Sequence, residues 1–102
     1  MKHSEINRIC DEVLERREEI LRLAEKHGAE NVRVFGSAAR GELGPESDID
    51  FLIAEGDGKT QLFPCGLIVD LERLFGRKID VVQEDALDEI LERSILAEAV
   101  EI

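Results

Sequence analysis

Two apolar segments joined by a polar stretch constrain the fold of this chain more than any other feature. Val32–Phe35 runs directly into Gly36-Ser37, and ten residues later Asp48-Ile49-Asp50 opens a second apolar segment that ends at Ala54. Such segments, bounded by glycine and polar residues, predict two strands with a turn after the first. Alternate side chains of a strand share a face, so Asp48 and Asp50 are expected to point the same way, about 7 Å apart at Cβ. Like charges at that spacing repel each other unless a cation lies between them, which predicts a divalent-metal site facing a phosphate-binding turn.

Chain length and charge narrow the classes of partner. The 102 residues predict a single domain spanning residues 1–102. The net charge of −11, from 24 acidic against 13 basic residues, opposes direct binding of nucleic acid and favours metal ions or a partner with a basic surface. Tryptophan and tyrosine are absent, so aromatic platforms for stacking bases are scarce. The acidity is equally compatible with a role in solubility alone.

No feature of the sequence indicates export or insertion into a membrane. The N-terminal residues lack the apolar run of a secretory signal, and no segment approaches membrane-spanning length. Cys10 and Cys65 do not have the spacing of metal ligands, which favours spectator thiols over a disulfide or a zinc site. A cytoplasmic protein without a membrane partner is therefore expected.

Helical periodicity and turn residues predict the remaining elements. The first helix is expected to begin at a Ser4 cap and to end at His27, itself at the surface, before Gly28. The other expected elements are a short helix at 38–40, a helix from 64 or 67 to 75, a strand at 78–82, and a terminal helix that Asp85 caps and on which Leu87, Ile90, Leu91 and Ile95 share a face. Helices covering a small mixed sheet of three to four strands would bury these apolar faces, so the predicted fold class is α/β or α+β. The order of the strands is not readable from the pattern.

The turn after the first strand has the chemistry of a phosphate-binding loop. Glycine at position 36 would let backbone N–H groups approach a phosphate without a Cβ in the way, and the Ser37 hydroxyl would add a further donor. Arg40 could supply a cation to the same anion. The simpler interpretation of each residue alone is an ordinary strand-to-helix turn and a surface arginine paired with Glu42.

A third acidic residue interrupts the last predicted strand. Asp80 lies between Ile79 and Val81, and a carboxylate flanked by β-branched residues in a strand needs a compensating partner. If this strand lies beside the one that begins near Asp50, Asp80 would complete a metal site with Asp48 and Asp50. Magnesium suits such a site, because it binds through carboxylates together with substrate phosphates. Taken alone, Asp80 would more often be a charge at the edge of a strand.

These segments together resemble a known signature. Residues 36–42, Gly-Ser-Ala-Ala-Arg-Gly-Glu, followed by 47–52, Ser-Asp-Ile-Asp-Phe-Leu, resemble that of the DNA polymerase β-like nucleotidyltransferase superfamily, and more closely its minimal nucleotidyltransferase (MNT) group. Residues 74–82 resemble the strand of that group that carries the third carboxylate. The resemblance implies the polymerase β-like nucleotidyltransferase fold.

The resemblance also implies a reaction and a role for each site residue. Gly36 and Ser37 would hold the nucleotide phosphates, and Arg40 would contact them. Mg²⁺ would be bound by Asp48 and Asp50, with Asp80 completing the site and helping to activate an acceptor hydroxyl. The implied reaction is transfer of AMP from ATP, with release of pyrophosphate.

A partner is implied by the same resemblance. Minimal nucleotidyltransferases are commonly antitoxins paired with HEPN-domain RNases, which they can AMPylate on a tyrosine, so a hetero-oligomer with a HEPN-domain toxin is expected. The alternative is a non-catalytic antitoxin that neutralises the toxin by binding alone. The terminal helix, with Leu96, Val100 and Ile102 near its end, is a candidate contact for the partner, and core packing is the simpler reading of those residues. Nucleotidylation of a small molecule is a weaker alternative, because it usually requires a further acceptor-binding domain.

Overall fold

A four-stranded mixed sheet forms the centre of the computed structural model, which describes residues 9–102. The helices are α1 (Asp11–Glu15), α2 (Arg17–His27), α3 (Ser37–Arg40), α4 (Cys65–Phe75) and α5 (Glu89–Glu98), with a 3₁₀ turn at Glu84–Ala86. The strands are β1 (Ala29–Phe35), β2 (Ile49–Glu55), β3 (Ile79–Gln83) and β4 (Val100–Glu101). They lie in the order β3-β2-β1-β4; β1 is antiparallel to β2 and β4, and β2 is parallel to β3. The predicted mixed sheet covered by helices is confirmed.

Strand β2 organises the core. Ile49, Phe51 and Ile53 are fully buried and pack in one cluster with residues of α2 and α4. The ring of Phe51 lies 6.4 Å from that of Phe75, centroid to centroid. Because side chains alternate across a strand, Asp50 lies on the opposite face of the sheet from this cluster. The face packed against the helices thus positions β2, and its opposite face carries Asp50 beside the fully buried Leu52.

The predicted first helix is interrupted at Arg16. Its proposed Ser4 cap lies outside the described residues, and within them the backbone at Arg16 (φ −107°, ψ 16°) separates α1 from α2. The apolar pattern could not indicate this break. Val13 before it and Ile20 after it are both buried, and their spacing of seven residues is the same as in an uninterrupted helix. The guanidinium of Arg16 lies 5.6 Å from the centre of the Phe75 ring, so the interruption is packed against α4.

The surface position expected for His27 is wrong. His27 is buried, and its Nε2 lies 2.7 Å from Oδ2 of Asp70 on α4. This hydrogen bond, with further help from Lys26, lowers the pKa of the Asp70 carboxyl. The pair joins α2 to α4 at the end of α2, where the helix ends as predicted at Gly28.

The C-terminal region differs most from the expectation. Asp85 lies in the 3₁₀ turn and does not cap the terminal helix, which begins only at Glu89. The expected apolar face is also wrong in part, because Ile90 is 83% exposed, and the side chain of Leu91 lies outside the described residues. Val100 belongs to β4, where it pairs with Val34, and not to the end of a helix. A strand of this length has no periodicity that a sequence pattern could detect.

Strand β1 is longer than predicted. It begins at Ala29, which pairs with Glu55, and an irregularity in the pairing with β2 falls between Glu30 and Arg33. Asn31 adopts a positive φ of 56° there, a conformation that asparagine tolerates better than most residues. Because residues 30 and 31 are polar and the pairing is irregular there, the sequence pattern did not indicate that the strand begins at Ala29. Across residues 9–102, no helix has both the length and the apolar character needed to cross a membrane.

Candidate active site

Asp50 and Asp80 lie next to each other on adjacent strands. Strands β2 and β3 run parallel with Asp50 paired to Asp80, and this register brings the two carboxyl groups into contact on one face of the sheet. The pKa of Asp50 is raised to about 6, first by burial and then by the negative charge of Asp80 and a hydrogen bond with it. The pair therefore carries the concentrated negative charge that a bound cation would relieve.

Asp48 lies at the edge of this pair. It immediately precedes β2, is half-buried, and has its Oδ2 3.8 Å from Nζ of Lys78. Its charge is close enough to contribute to the raised pKa of Asp50. Within residues 9–102, however, no three acidic, histidine or cysteine side chains converge into a ready-made metal cage. An open pair of carboxylates with a third nearby still fits Mg²⁺, which takes only some of its ligands from protein and the rest from water and substrate phosphate.

The Gly36 turn lies directly against Asp50. Gly36 has φ 68° and ψ −148°, and a Cβ placed on it would lie 2.6 Å from Oδ2 of Asp50. The antiparallel pairing of Phe35 with Asp50 produces this closeness, because the chain leaves β1 one residue beyond that pair. Ser37 begins α3, which is fixed by the buried side chains of Ala38 and Ala39. The turn and the acidic pair thus form one continuous surface.

Arg40 completes the turn with a positive charge. Its Nε lies 2.9 Å from Oε1 of Glu42, the surface pair that the simpler interpretation predicts, and its Nη1 lies 2.9 Å from Oε2 of Glu98. These acidic partners, Glu42 before Glu98, raise the pKa of Arg40. Arg40 is exposed, so its guanidinium is available to an anion from solvent.

Glu98 is a member of the site that the sequence did not indicate. Its Oε1 accepts a hydrogen bond of 2.5 Å from the backbone N–H of Gly36, while its Oε2 pairs with Arg40. The end of α5 and strand β4 bring it there, forming with α3 a cleft of about 410 Å³ lined in part by Ala39, Arg40 and Glu98. The pairing of β4 with β1 brings Glu98 to this position, and no local pattern in the sequence indicates that pairing.

Arg77 is a second site residue without a signal in the sequence. Its Nη1 donates hydrogen bonds to the backbone carbonyls of Gly44 (2.8 Å) and Ser47 (2.9 Å), and its Nη2 pairs with Glu12 at 3.2 Å. The side chain is 18% exposed. Arg77 therefore ties the loop that leads into Asp48 to the body of the domain.

The sequence of the chain matches a known family over nearly its whole length. The profile of the nucleotidyltransferase domain family matches residues 10–102. A Methanocaldococcus jannaschii protein, provisionally named a protein adenylyltransferase, is 39% identical over 76% of this chain and 83% of its own. The protein adenylyltransferase MntA of Thermococcus cleftensis is 33% identical over 76% of this chain and 79% of its own. The chain belongs to the nucleotidyltransferase domain family, and its enzyme class is nucleotidyltransferase.

Solved structures agree with this assignment. One described provisionally as a minimal nucleotidyltransferase superposes with a TM-score of 0.79 at 43% identity and covers 88% of this chain and 92% of that one. A second, described as a tri-AMPylated Shewanella oneidensis HEPN toxin in complex with an MNT antitoxin, has a chain with a TM-score of 0.59 at 16% identity, covering 82% of this chain and 66% of that one. The second likeness supports the fold alone.

Removing the guanidinium of Arg77 is expected to reduce catalysis without unfolding the domain. Arg77→Ala frees the loop before Asp48, and misplacing a site group by about 1 Å can lower turnover by about 100-fold. Arg77→Lys should recover only part of the loss, because an ammonium cannot reproduce the fork that binds two carbonyls and Glu12. The measurement is kcat for nucleotidyl transfer at rising Mg²⁺ concentrations, beside the exposed Arg73→Ala on α4 as control. Equal kcat in both alanine variants would contradict the positioning role.

Proposed function

We propose that this chain is an antitoxin that transfers AMP from ATP to a tyrosine hydroxyl of a HEPN-domain RNase, with which it forms a hetero-oligomer. The observation that carries the proposal is the close approach of Gly36 to the carboxyl group of Asp50, which is paired with Asp80. In the proposal, the groups that bind phosphate therefore lie beside those that hold the metal. The relatives named protein adenylyltransferases support protein as the acceptor. The same fold occurs in an MNT antitoxin bound to an AMPylated HEPN toxin, which motivates the proposed class of partner.

The phosphate chain of ATP would lie along the turn. The backbone N–H of Gly36, the Ser37 hydroxyl and the guanidinium of Arg40 would bind its oxygens and orient the α-phosphorus toward the acidic pair. Asp48, Asp50 and Asp80 would hold Mg²⁺, which when bound neutralises phosphate charge. Asp50 and Asp80 occupy the face of the sheet opposite the hydrophobic core, where an acceptor side chain can approach.

The acidic pair would manage the proton of the acceptor. The tyrosine oxygen forms a bond to the α-phosphorus, the bond from that phosphorus to the bridging oxygen breaks, and pyrophosphate leaves. Asp80, exposed beside the half-buried Asp50, would take the hydroxyl proton as the new bond forms. The 102 residues contain no tyrosine, so in this proposal the partner supplies the acceptor hydroxyl.

Transfer of label from ATP tests the enzymatic proposal. The chain is mixed with ATP labelled at the α-phosphate, Mg²⁺ and a HEPN-domain protein from the same genome, and label is expected on the partner but not on a variant with its acceptor tyrosine replaced by phenylalanine. Asp80→Asn should lower the rate by about 100-fold or more, because it removes the proton acceptor. Asp85→Asn, an exposed carboxylate of the 3₁₀ turn, makes the same change in charge and should leave the rate unchanged.

Neutralisation by binding alone is a second candidate, favoured by the net charge of −11. A strongly acidic chain suits the basic surface of an RNase whether or not it transfers a nucleotide. Under this alternative, Asp80→Asn would neutralise the toxin as well as the unmodified chain does. Loss of neutralisation by Asp80→Asn, with binding to the toxin retained, would reject it.

A further inference from the structure

Among the side chains that the structure describes, those that join helix α5 to the domain lie mainly near its C-terminal end. None of its side chains that the structure describes is buried, and Ile90 and Leu96 are 83% and 41% exposed. The helix is continued by β4, whose pairing with β1 joins Val100 to Val34 and Glu101 to Arg33. Glu98 adds the contacts with the Gly36 turn and with Arg40. A shift of residues 98–101 would therefore release the end of α5, and it would loosen only the packing of Val100 against the core and its pairing with Val34.

The two oxygens of Glu98 occupy the positions that phosphate oxygens would need. One accepts the N–H of Gly36 at 2.5 Å, and the other accepts from Nη1 of Arg40 at 2.9 Å. Carboxylates and phosphates are bound by the same kind of charged and backbone donors. A nucleotide whose phosphate binds Gly36 and Arg40 would meet the Glu98 carboxylate in the same place.

The surroundings of Glu98 also favour its release. Its negative charge faces the acidic pair on the sheet and is among the causes of the raised pKa of Asp50. Glu42 shares Arg40 with it, so Glu98 is not the sole partner of that guanidinium. The carboxylate is therefore attracted by the turn and repelled by the acidic pair beside it.

We propose that Glu98 is an intramolecular competitor of the nucleotide. Without nucleotide its carboxylate occupies Gly36 and Arg40, and binding of the triphosphate displaces Glu98 together with the end of α5. The inference rests on the proposed function in one respect, the assignment of the Gly36–Arg40 turn to the phosphates. The apparent affinity for ATP is then the intrinsic affinity multiplied by the fraction of chains in which Glu98 has left the turn.

Nucleotide affinity in Glu98 variants tests the competition. Titration calorimetry with a non-hydrolysable ATP analogue and Mg²⁺ is expected to give about fivefold to tenfold tighter binding for Glu98→Ala. Glu98→Gln retains the size of the side chain and should bind the analogue with intermediate affinity, which separates the competition from a change in folding. Glu92→Gln removes one negative charge from an exposed position of the same helix and should alter the affinity less than twofold. Unchanged or weaker binding in both Glu98 variants would overturn the proposal.

Amide hydrogen exchange provides a second readout. In the unmodified chain the nucleotide analogue should speed exchange at the end of α5 and in β4, because Glu98 is displaced. In Glu98→Ala without nucleotide, the Gly36 amide should exchange faster than in the unmodified chain. Slower exchange at residues 98–101 on addition of the nucleotide would show that Glu98 stays in place, and would overturn the proposal.

An Arg40→Ala variant distinguishes failure of the competition from failure of the proposed function. If Arg40→Ala weakens binding of the analogue while the Glu98 variants do not strengthen it, the turn binds phosphate and only the competition is wrong. If Arg40→Ala leaves the affinity unchanged both in the unmodified chain and in the Glu98→Ala background, where the competing carboxylate is absent, the turn is not the phosphate site, and both the competition and the assignment beneath it are overturned.

Discussion

Asp50→Asn is expected to abolish nucleotidyl transfer and at the same time to stabilise the metal-free domain at neutral pH. The pKa of Asp50 rises from an ordinary 3.8 to about 6 in the folded chain. At 1.36 kcal/mol per unit this difference corresponds to about 3 kcal/mol, which partial exposure of the side chain reduces to about 1–2 kcal/mol. Because the folded state binds this proton more tightly, the contribution of Asp50 to stability is most favourable below pH 3.8 and declines as the pH rises through 6. Asparagine is neutral throughout, so its advantage is complete above pH 6 and absent below about pH 4.

Urea unfolding in EDTA measures this gain, at pH 4 and at pH 7.5. Adding Mg²⁺ at pH 7.5 should reduce the difference in the free energy of unfolding between the variant and the unmodified chain, since a cation that binds the native carboxylates stabilises only the unmodified chain. Transfer should fall by about 10³-fold, because the variant loses a carboxylate central to the site. Asp57→Asn, in the exposed turn after β2, is the matched control and should alter neither quantity. A destabilised Asp50→Asn at pH 7.5 in EDTA would contradict the electrostatic argument.

The elements that carry the turn and the acids could be predicted because their signals are local. The apolar segments at 32–35 and 49–54 each contain the alternation or continuous burial of a strand, and glycine marks the turn between them. Asp80 could be placed within a strand, but not beside Asp50, because strand order depends on how the whole chain packs. The parallel register of β2 and β3 was needed to bring those two carboxyl groups together.

The interactions that could not be predicted join residues far apart in the chain. Glu98 and Gly36 are separated by 62 positions, and His27 and Asp70 by 43. His27 also depends on Gly66, where a Cβ would lie 2.8 Å from Cε1 of the imidazole, so the buried histidine needs a glycine on another helix. Arg77 shows the same limit, because the carbonyls that it binds become neighbours only after β3 pairs with β2. Packing between elements, rather than the preference of any one segment, determines these contacts.

Gly36→Ala is expected to disrupt both stability and catalysis, because two separate penalties coincide at this residue. Its backbone (φ 68°, ψ −148°) lies near a region essentially restricted to glycine, where other residues are strained by about 1–3 kcal/mol. The new methyl group would also lie 2.6 Å from Oδ2 of Asp50 and would push that carboxylate away from Asp80. Transfer should fall by about 100-fold or more, because the turn and the acidic pair both lose their geometry.

A double-mutant cycle separates the two penalties, with the free energy of unfolding as the measurement. In an Asp50→Ala background the nearest Asp50 atom that remains, Cβ, lies 3.9 Å from the new methyl, so Gly36→Ala should cost only its backbone strain. Gly76→Ala is the matched control: its φ of 66° is similar, but nothing lies within 4 Å of the added Cβ. The backbone of Gly76 lies in the left-handed helical region, where alanine is expected to lower the free energy of unfolding by about 1–2 kcal/mol. The contact between the turn and the acidic pair would be contradicted by two results together. Gly36→Ala would lower the free energy of unfolding no more than Gly76→Ala does, and the loss would be the same with or without the Asp50 carboxylate.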